Sequence, residues 1–138
     1  MTAVRHLVVL CAVTLTVAAS AVAANPIRAT MATSSTKPLA DTPWRYTVVV
    51  KDRAGKPLAA RMRLQVLRGT TVVGCWKRTA IAPCSARDAG TWIAFTGTRS
   101  GVIRWRAASA GSKLTFQAVV VAGTRSLRLS APVTVQLP

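Results

Sequence analysis

Apolar and polar residues alternate one by one along most of the chain, and this period of two limits the fold more than any other feature. In residues 44–50, Trp44, Tyr46, Val48 and Val50 alternate with Arg45, Thr47 and Val49. Successive side chains of a β-strand point to opposite faces, so these four side chains share one face. An amphipathic helix would instead repeat its apolar residues every 3.6 positions. The pattern therefore predicts β-strands.

Seven segments carry this alternation, and Gly, Pro or Asp mark the turns between them. The predicted strands are residues 44–50, 61–66, 71–76, 91–95, 102–106, 114–120 and 127–137. Short strands at this spacing are typical of an antiparallel β-sandwich, with a closed barrel as the alternative. Pro132 is expected to bend or interrupt the last strand, because proline lacks the N–H that a sheet ladder uses. The predicted fold class is all-β.

Residues 1–24 have the three-part layout of a secretory signal peptide. Arg5 and His6 form a short basic start, residues 7–17 are apolar apart from Thr, and residues 19–24 are mostly small. Cleavage is expected after Ala23 or Ala24. An uncleaved anchor is the alternative, but about 11 apolar residues are fewer than the roughly 20 that span a bilayer as a helix. We expect a secreted or envelope-associated product without a transmembrane segment after cleavage.

Residues 25–43 are rich in Ser, Thr, Pro and Ala and show no apolar periodicity. Such a composition predicts a disordered tether. Residues 44–138 remain as one β-sandwich domain, a length close to the usual size of about 100 residues.

The inventory of ionisable residues argues against catalysis. Nineteen Lys and Arg oppose three acidic residues, for a net charge of +16, and the single His lies in the leader. Without His or Glu, the mature chain cannot build a Ser–His–Asp triad, and Asp41, Asp52 and Asp88 are too scattered for a carboxylate pair or a calcium loop. A Ser–Lys pair such as Ser112 with Lys113 stays open on composition. We expect no enzyme activity, no cofactor and no metal.

Two cysteines remain after export, since Cys11 leaves with the leader. Cys75 and Cys84 are expected to form a local disulfide, because the extracytoplasmic compartment permits oxidation. A redox role is the alternative, although the spacing is not C-x-x-C. Two thiols fall short of the four ligands of a zinc site.

Five arginines stand opposite apolar residues on the predicted strands and should therefore project from outer faces. They are Arg61, Arg63, Arg104, Arg106 and Arg128. The planar guanidinium group binds phosphate and carboxylate through two parallel hydrogen bonds, so these residues are the candidate anion-binding site. A basic surface that only compositional bias produced is the alternative. Nucleic acid is electrostatically allowed but disfavoured by export and by the lack of a recognition helix.

Two stretches resemble bacterial immunoglobulin-like domains. Residues 52–57, DRAGKP, follow an apolar run and match the D-x-x-G-x-P turn of such domains, and residues 114–123, LTFQAVVVAG, resemble their penultimate strand and hairpin. Carboxypeptidase-regulatory-like and transthyretin-like modules share that turn, and invasin-type domains belong to the same group. The resemblance implies an Ig-like β-sandwich that serves as an extracellular adhesive, spacer or binding module, and it supplies no catalytic residues.

These observations predict an exported, non-enzymatic module that engages anionic cell-envelope polymers through an Arg-rich outer face. The alternative is a secreted Ig-like domain that binds an extracellular protein or acts as a spacer, without a polyanion ligand. Binding through arginine would be sensitive to salt, whereas binding through apolar edges would be less so.

Overall fold

A computed structural model describes residues 26–138, so the predicted signal peptide, residues 1–24, lies outside the described range. Within it the chain forms nine strands and a short 3₁₀ turn at Ala107–Ser109. The strands are β1 (Arg28–Thr33), β2 (Pro43–Lys51), β3 (Ala59–Arg68), β4 (Thr71–Lys77), β5 (Ala80–Pro83), β6 (Ile93–Thr96), β7 (Thr98–Arg104), β8 (Lys113–Ala122) and β9 (Arg125–Thr134).

The strands form two antiparallel sheets. The smaller sheet has the order β1-β2-β7, and the larger has the order β5-β4-β3-β8-β9, with β6 paired to the first half of β3. The inner faces of the two sheets pack against each other around one core. This arrangement confirms the predicted all-β class and the antiparallel β-sandwich.

The core consists of the alternate apolar residues that the sequence pattern singles out. Strand β2 supplies Trp44, Tyr46, Val48 and Val50, which face Met62, Leu64 and Val66 of β3 and Leu114, Phe116, Ala118 and Val120 of β8. Trp44 and Phe116 meet edge to face with ring centroids 5.0 Å apart, a favoured aromatic geometry. Burial of these side chains supplies the main stabilisation of the two-layer fold.

The predicted disordered tether, residues 25–43, is wrong for its described part. Strand β1 lies in it and pairs with β2 from Arg28 opposite Lys51 to Thr33 opposite Tyr46. Further along, the segment 36–40 runs parallel to the C-terminal segment, and the Ala40 N–H donates to the Gln136 carbonyl at 2.7 Å.

The tether prediction fails because backbone hydrogen bonds, rather than buried apolar side chains, hold most of the segment in place. In and next to β1, the apolar residues Ile27, Ala29 and Met31 alternate toward the core but are only partly buried, and Ala40 is the segment's one described residue in the buried core. An edge strand needs little more than this, because its neighbour supplies the hydrogen-bonding partners. The folded domain therefore begins before residue 44.

The strand count also differs from the predicted seven. Besides β1, the structure contains β5, which pairs antiparallel with β4 in a segment that was predicted to be a loop. Pro132 does not interrupt the last strand: it pairs with Thr115 within a continuous β9. Strand β9 lies at a sheet edge, and edge strands tolerate proline.

Gly97 forms the corner at which the chain passes from the larger sheet to the smaller one. It is the single residue between β6 and β7. The Val50 N–H donates to its carbonyl at 2.6 Å, and its own N–H donates to the Leu58 carbonyl at 2.9 Å. One residue thus connects both sheets through its backbone.

Candidate functional site

The outer face of the larger sheet brings together three of the five predicted arginines. Arg63 of β3 is opposite Val119 of β8, and Val119 is in turn opposite Arg128 of β9. Arg61 lies two residues before Arg63, so its side chain is on the same face. We call Arg61, Arg63 and Arg128 the Arg face.

Trp92 joins the Arg face from the segment that precedes β6. The Cζ atoms of Arg61 and Arg63 lie 4.7 Å and 4.9 Å from the centroid of its ring. A guanidinium group over an aromatic face gains a cation–π attraction. Trp92 is 37% exposed, so the ring supports the two arginines at the surface rather than in the core.

A local disulfide anchors the loop that carries Trp92. Cys75 of β4 and Cys84 are disulfide-bonded, with their Cα atoms 5.7 Å apart. Beyond the crosslink, the Thr91 N–H donates to the Trp76 carbonyl at 2.9 Å. The crosslink and this hydrogen bond fix both ends of the loop that leads to the tryptophan.

The three acidic residues do not neutralise the Arg face. Asp88 forms an ion pair with Lys77, and Asp52 Oδ1 accepts a hydrogen bond from the Lys56 N–H at 2.9 Å within its turn. Across residues 26–138, no arginine of the Arg face lies within 4.0 Å of a carboxylate oxygen. The positive charge of the face is therefore uncompensated.

Buried polar groups on the same face have unused hydrogen-bonding capacity. Gln117 is 7% exposed, and its Nε2 donates to Ser130 Oγ at 3.1 Å. Its Oε1 acceptor and the Nε donor of Arg63 are buried without a partner in the described chain. Buried polar groups of this kind are rare in native proteins, because an unmade hydrogen bond is costly.

Arg104 and Arg106 do not belong to the Arg face, so the five candidate arginines do not lie on one surface. Arg104 ends β7 in the smaller sheet, and its Nη1 donates to the Asp41 carbonyl at 2.8 Å. With Arg68, both line a cleft of about 200 Å³ between the end of β7 and strands β4 and β5. We call this the end cleft. Val66 and Leu114 of the larger sheet line this cleft from the core side, so the larger sheet separates it from the Arg face.

Residues 26–138 contain no cluster of three or more metal-ligating side chains. In the same range, no helix is long and apolar enough to cross a membrane.

Sequence reasoning missed two contributors to these surfaces. Trp92 belongs to a predicted strand whose core-facing residues are Ile93 and Phe95. Alternation places the side chain of Trp92 on the other face of that strand, so its outward position could have been predicted. Arg68 gave no such signal, because it lies at the end of β3 with the same parity as the core residues Leu64 and Val66.

Comparison with known proteins places the chain in no established family. No family model matches it, and no curated protein matches it. Among solved structures, it is similar to the crystal structure of domains 4 and 5 of the S-layer protein SbsC, at 16% sequence identity and a TM-score of 0.37. The match covers 82% of this chain and 54% of that one, so the chain spans about half the length of the SbsC structure. Values this low transfer neither a family nor a function.

Proposed function

We propose that this protein is an exported, non-enzymatic module of the cell envelope that binds an anionic polymer through the Arg face. The observation that carries the proposal is the alignment of Arg61, Arg63 and Arg128 on one sheet surface without a carboxylate partner. The export of the chain rests on the signal-peptide pattern of residues 1–24.

The spacing of the Arg face suits a polymer with repeated charges. Residues two apart on a strand are separated by roughly 7 Å, and residues two strands apart by roughly 10 Å. Arg61, Arg63 and Arg128 therefore present three cations within the reach of a short stretch of polyanion. Guanidinium groups bind phosphate or carboxylate bidentately, and the ring of Trp92 limits the freedom of two of them.

The non-enzymatic part of the proposal rests on the residues that catalysis would need. Of the three carboxylates, that of Asp88 pairs with Lys77 and that of Asp52 supports a turn. The proposed kinship with bacterial immunoglobulin-like domains rests on the D-x-x-G-x-P turn, which connects β2 of one sheet to β3 of the other.

Co-sedimentation with isolated cell envelopes tests the proposal. Envelopes with and without their anionic polymers are mixed with the oxidised protein over a series of salt concentrations. Binding should disappear on stripping and should weaken with salt, because polyanion binding releases condensed counterions. In the triple variant Arg61→Ala/Arg63→Ala/Arg128→Ala, the slope of log affinity against log salt should fall by about three, roughly one per lost contact.

The matched control removes the same charge elsewhere. Arg28→Ala/Arg45→Ala/Arg53→Ala alters exposed residues of the smaller sheet and the turn after it. This variant should keep most of the binding. Equal losses in both triple variants would show that net charge alone drives the interaction. Binding that withstands stripping and salt would favour a protein partner instead.

A further inference from the structure

The end cleft combines an apolar floor with a basic rim. Its apolar lining comes from both sheets and includes Val66, Val73, Ile81, Ile103 and Leu114. Arg68, Arg104 and Arg106 line the same cleft, and no acidic residue does so. A site with this lining favours a ligand that has an apolar part and a negative charge, as small-molecule pockets typically place few polar groups on an apolar surface.

Arg104 is held in place at the cleft, whereas the other two arginines have unused donors. The bond from Arg104 Nη1 to the Asp41 carbonyl fixes one edge of its guanidinium group. No side-chain hydrogen bond or ion pair to described residues occupies Arg68 or Arg106. A guanidinium group carries five N–H donors, so the rim can bind an anion.

Trp105 supplies an independent observation. It lines the cleft and is 4% exposed. Its ring packs edge to face against that of Trp44, with the ring centroids 5.4 Å apart. Its indole Nε1 is buried and has no acceptor within residues 26–138. The indole of Trp44, by contrast, is paired: its Nε1 donates to the Ser35 carbonyl at 2.7 Å. The N–H of Trp105 is a buried donor in need of an acceptor.

We propose that the end cleft binds a small organic carboxylate with an apolar body, about the size of a benzene ring or a six-carbon chain. In another protein, an apolar cavity of about 150 Å³ holds benzene, and the end cleft measures about 200 Å³. The apolar body fills the floor, and the carboxylate oxygens accept hydrogen bonds from the arginine rim and the Trp105 N–H. The proposal is independent of the Arg face.

Titration followed by ¹H–¹⁵N NMR of the purified, oxidised protein tests the site. The probes are benzoate and hexanoate, with benzyl alcohol as the neutral match and acetate as the charged match without an apolar body. Benzoate or hexanoate should shift the Trp105 indole N–H resonance saturably. Benzyl alcohol should bind at least tenfold more weakly, and acetate should leave the indole unchanged. N-acetylphenylalanine presents the same chemistry as a peptide C-terminus: tighter binding than benzoate would identify a chain end as the source, and weaker binding a free acid.

Variants locate the effect. Arg68→Ala and Arg106→Ala change exposed residues, and each should weaken benzoate binding about tenfold, while Arg128→Ala on the Arg face should not. The spectrum of each variant reports whether it is folded. Equal affinity for benzoate and benzyl alcohol would overturn the proposal, as would unchanged binding in both cleft variants. Shifts confined to the residues around Trp92, or no saturable shift at all, would also overturn it.

Discussion

Replacing Gly97 by alanine tests how tightly the corner residue connects the two sheets. Gly97 has a φ of 72°, in the left-handed region that residues with a Cβ rarely adopt. A Cβ at this position would lie 2.7 Å from Pro57 Cβ, which is too close for two carbon atoms. The substitution therefore adds backbone strain and a steric clash, at a residue whose N–H and carbonyl both bond across the corner.

The expected loss of stability has two parts. A non-glycine residue in the left-handed conformation costs about 1–2 kcal/mol. Forcing extra volume against packed atoms costs about 1–3 kcal/mol, so Gly97→Ala should destabilise the fold by about 2–5 kcal/mol. Gly111 is the matched control, because its φ is 77° and nothing lies within 4 Å of a Cβ built there. Gly111→Ala should cost only the strain of about 1–2 kcal/mol.

Urea unfolding of the oxidised wild type and both variants, followed by tryptophan fluorescence, measures the two free energies. Gly97→Ala should have a clearly lower midpoint than Gly111→Ala, at an unchanged slope. If the two variants lost the same stability, the contact with Pro57 would contribute nothing and the reasoning about the corner would be refuted. A stability close to wild type in both would refute the strain argument as well.

Two further predictions concern the core and the first strand. Burial raises the pKa of Tyr46 above its ordinary value, and the positive charge of Arg99 partly opposes this shift. Tyr46 therefore ionises at lower pH in the unfolded chain than in the folded one. The stability of the fold should fall as the pH rises above about 10. Tyr46 is the single tyrosine of the sequence, so tyrosinate absorbance reports its ionisation directly, and an ordinary pKa in the folded protein would contradict its burial. Deleting residues 26–33 should lower the unfolding midpoint and promote self-association in size-exclusion chromatography, because it removes β1 and exposes the edge of β2; unchanged behaviour would restore the tether interpretation for this segment.

Alternation was a sound guide where strands bury one face. Trp44, Tyr46, Val48 and Val50 are all buried, as their spacing predicts. The same rule failed for β1, where the side chains are only partly buried. Partial burial leaves a weak pattern in the sequence, while the backbone hydrogen bonds that hold the strand leave none.

The candidate sites show a similar division. Parity along β3 and β9 predicts that Arg61, Arg63 and Arg128 project outward, and the register of β3, β8 and β9 then brings them onto one face. Parity alone cannot tell which sheet a strand joins. Arg104 also projects outward, but β7 belongs to the smaller sheet, so it lies at the end cleft instead.

Four properties could be predicted from the sequence: the all-β class, the core-facing residues of the main strands, the excess of positive charge and the crosslink between Cys75 and Cys84. These properties follow from composition and from a period of two, which are local features of the chain. Which strands are neighbours could not be predicted in this way, because strand pairing joins residues that are far apart in sequence. That pairing placed Trp92 beneath two arginines, and it brought Arg68 of β3 to the same cleft as Arg106 beyond β7.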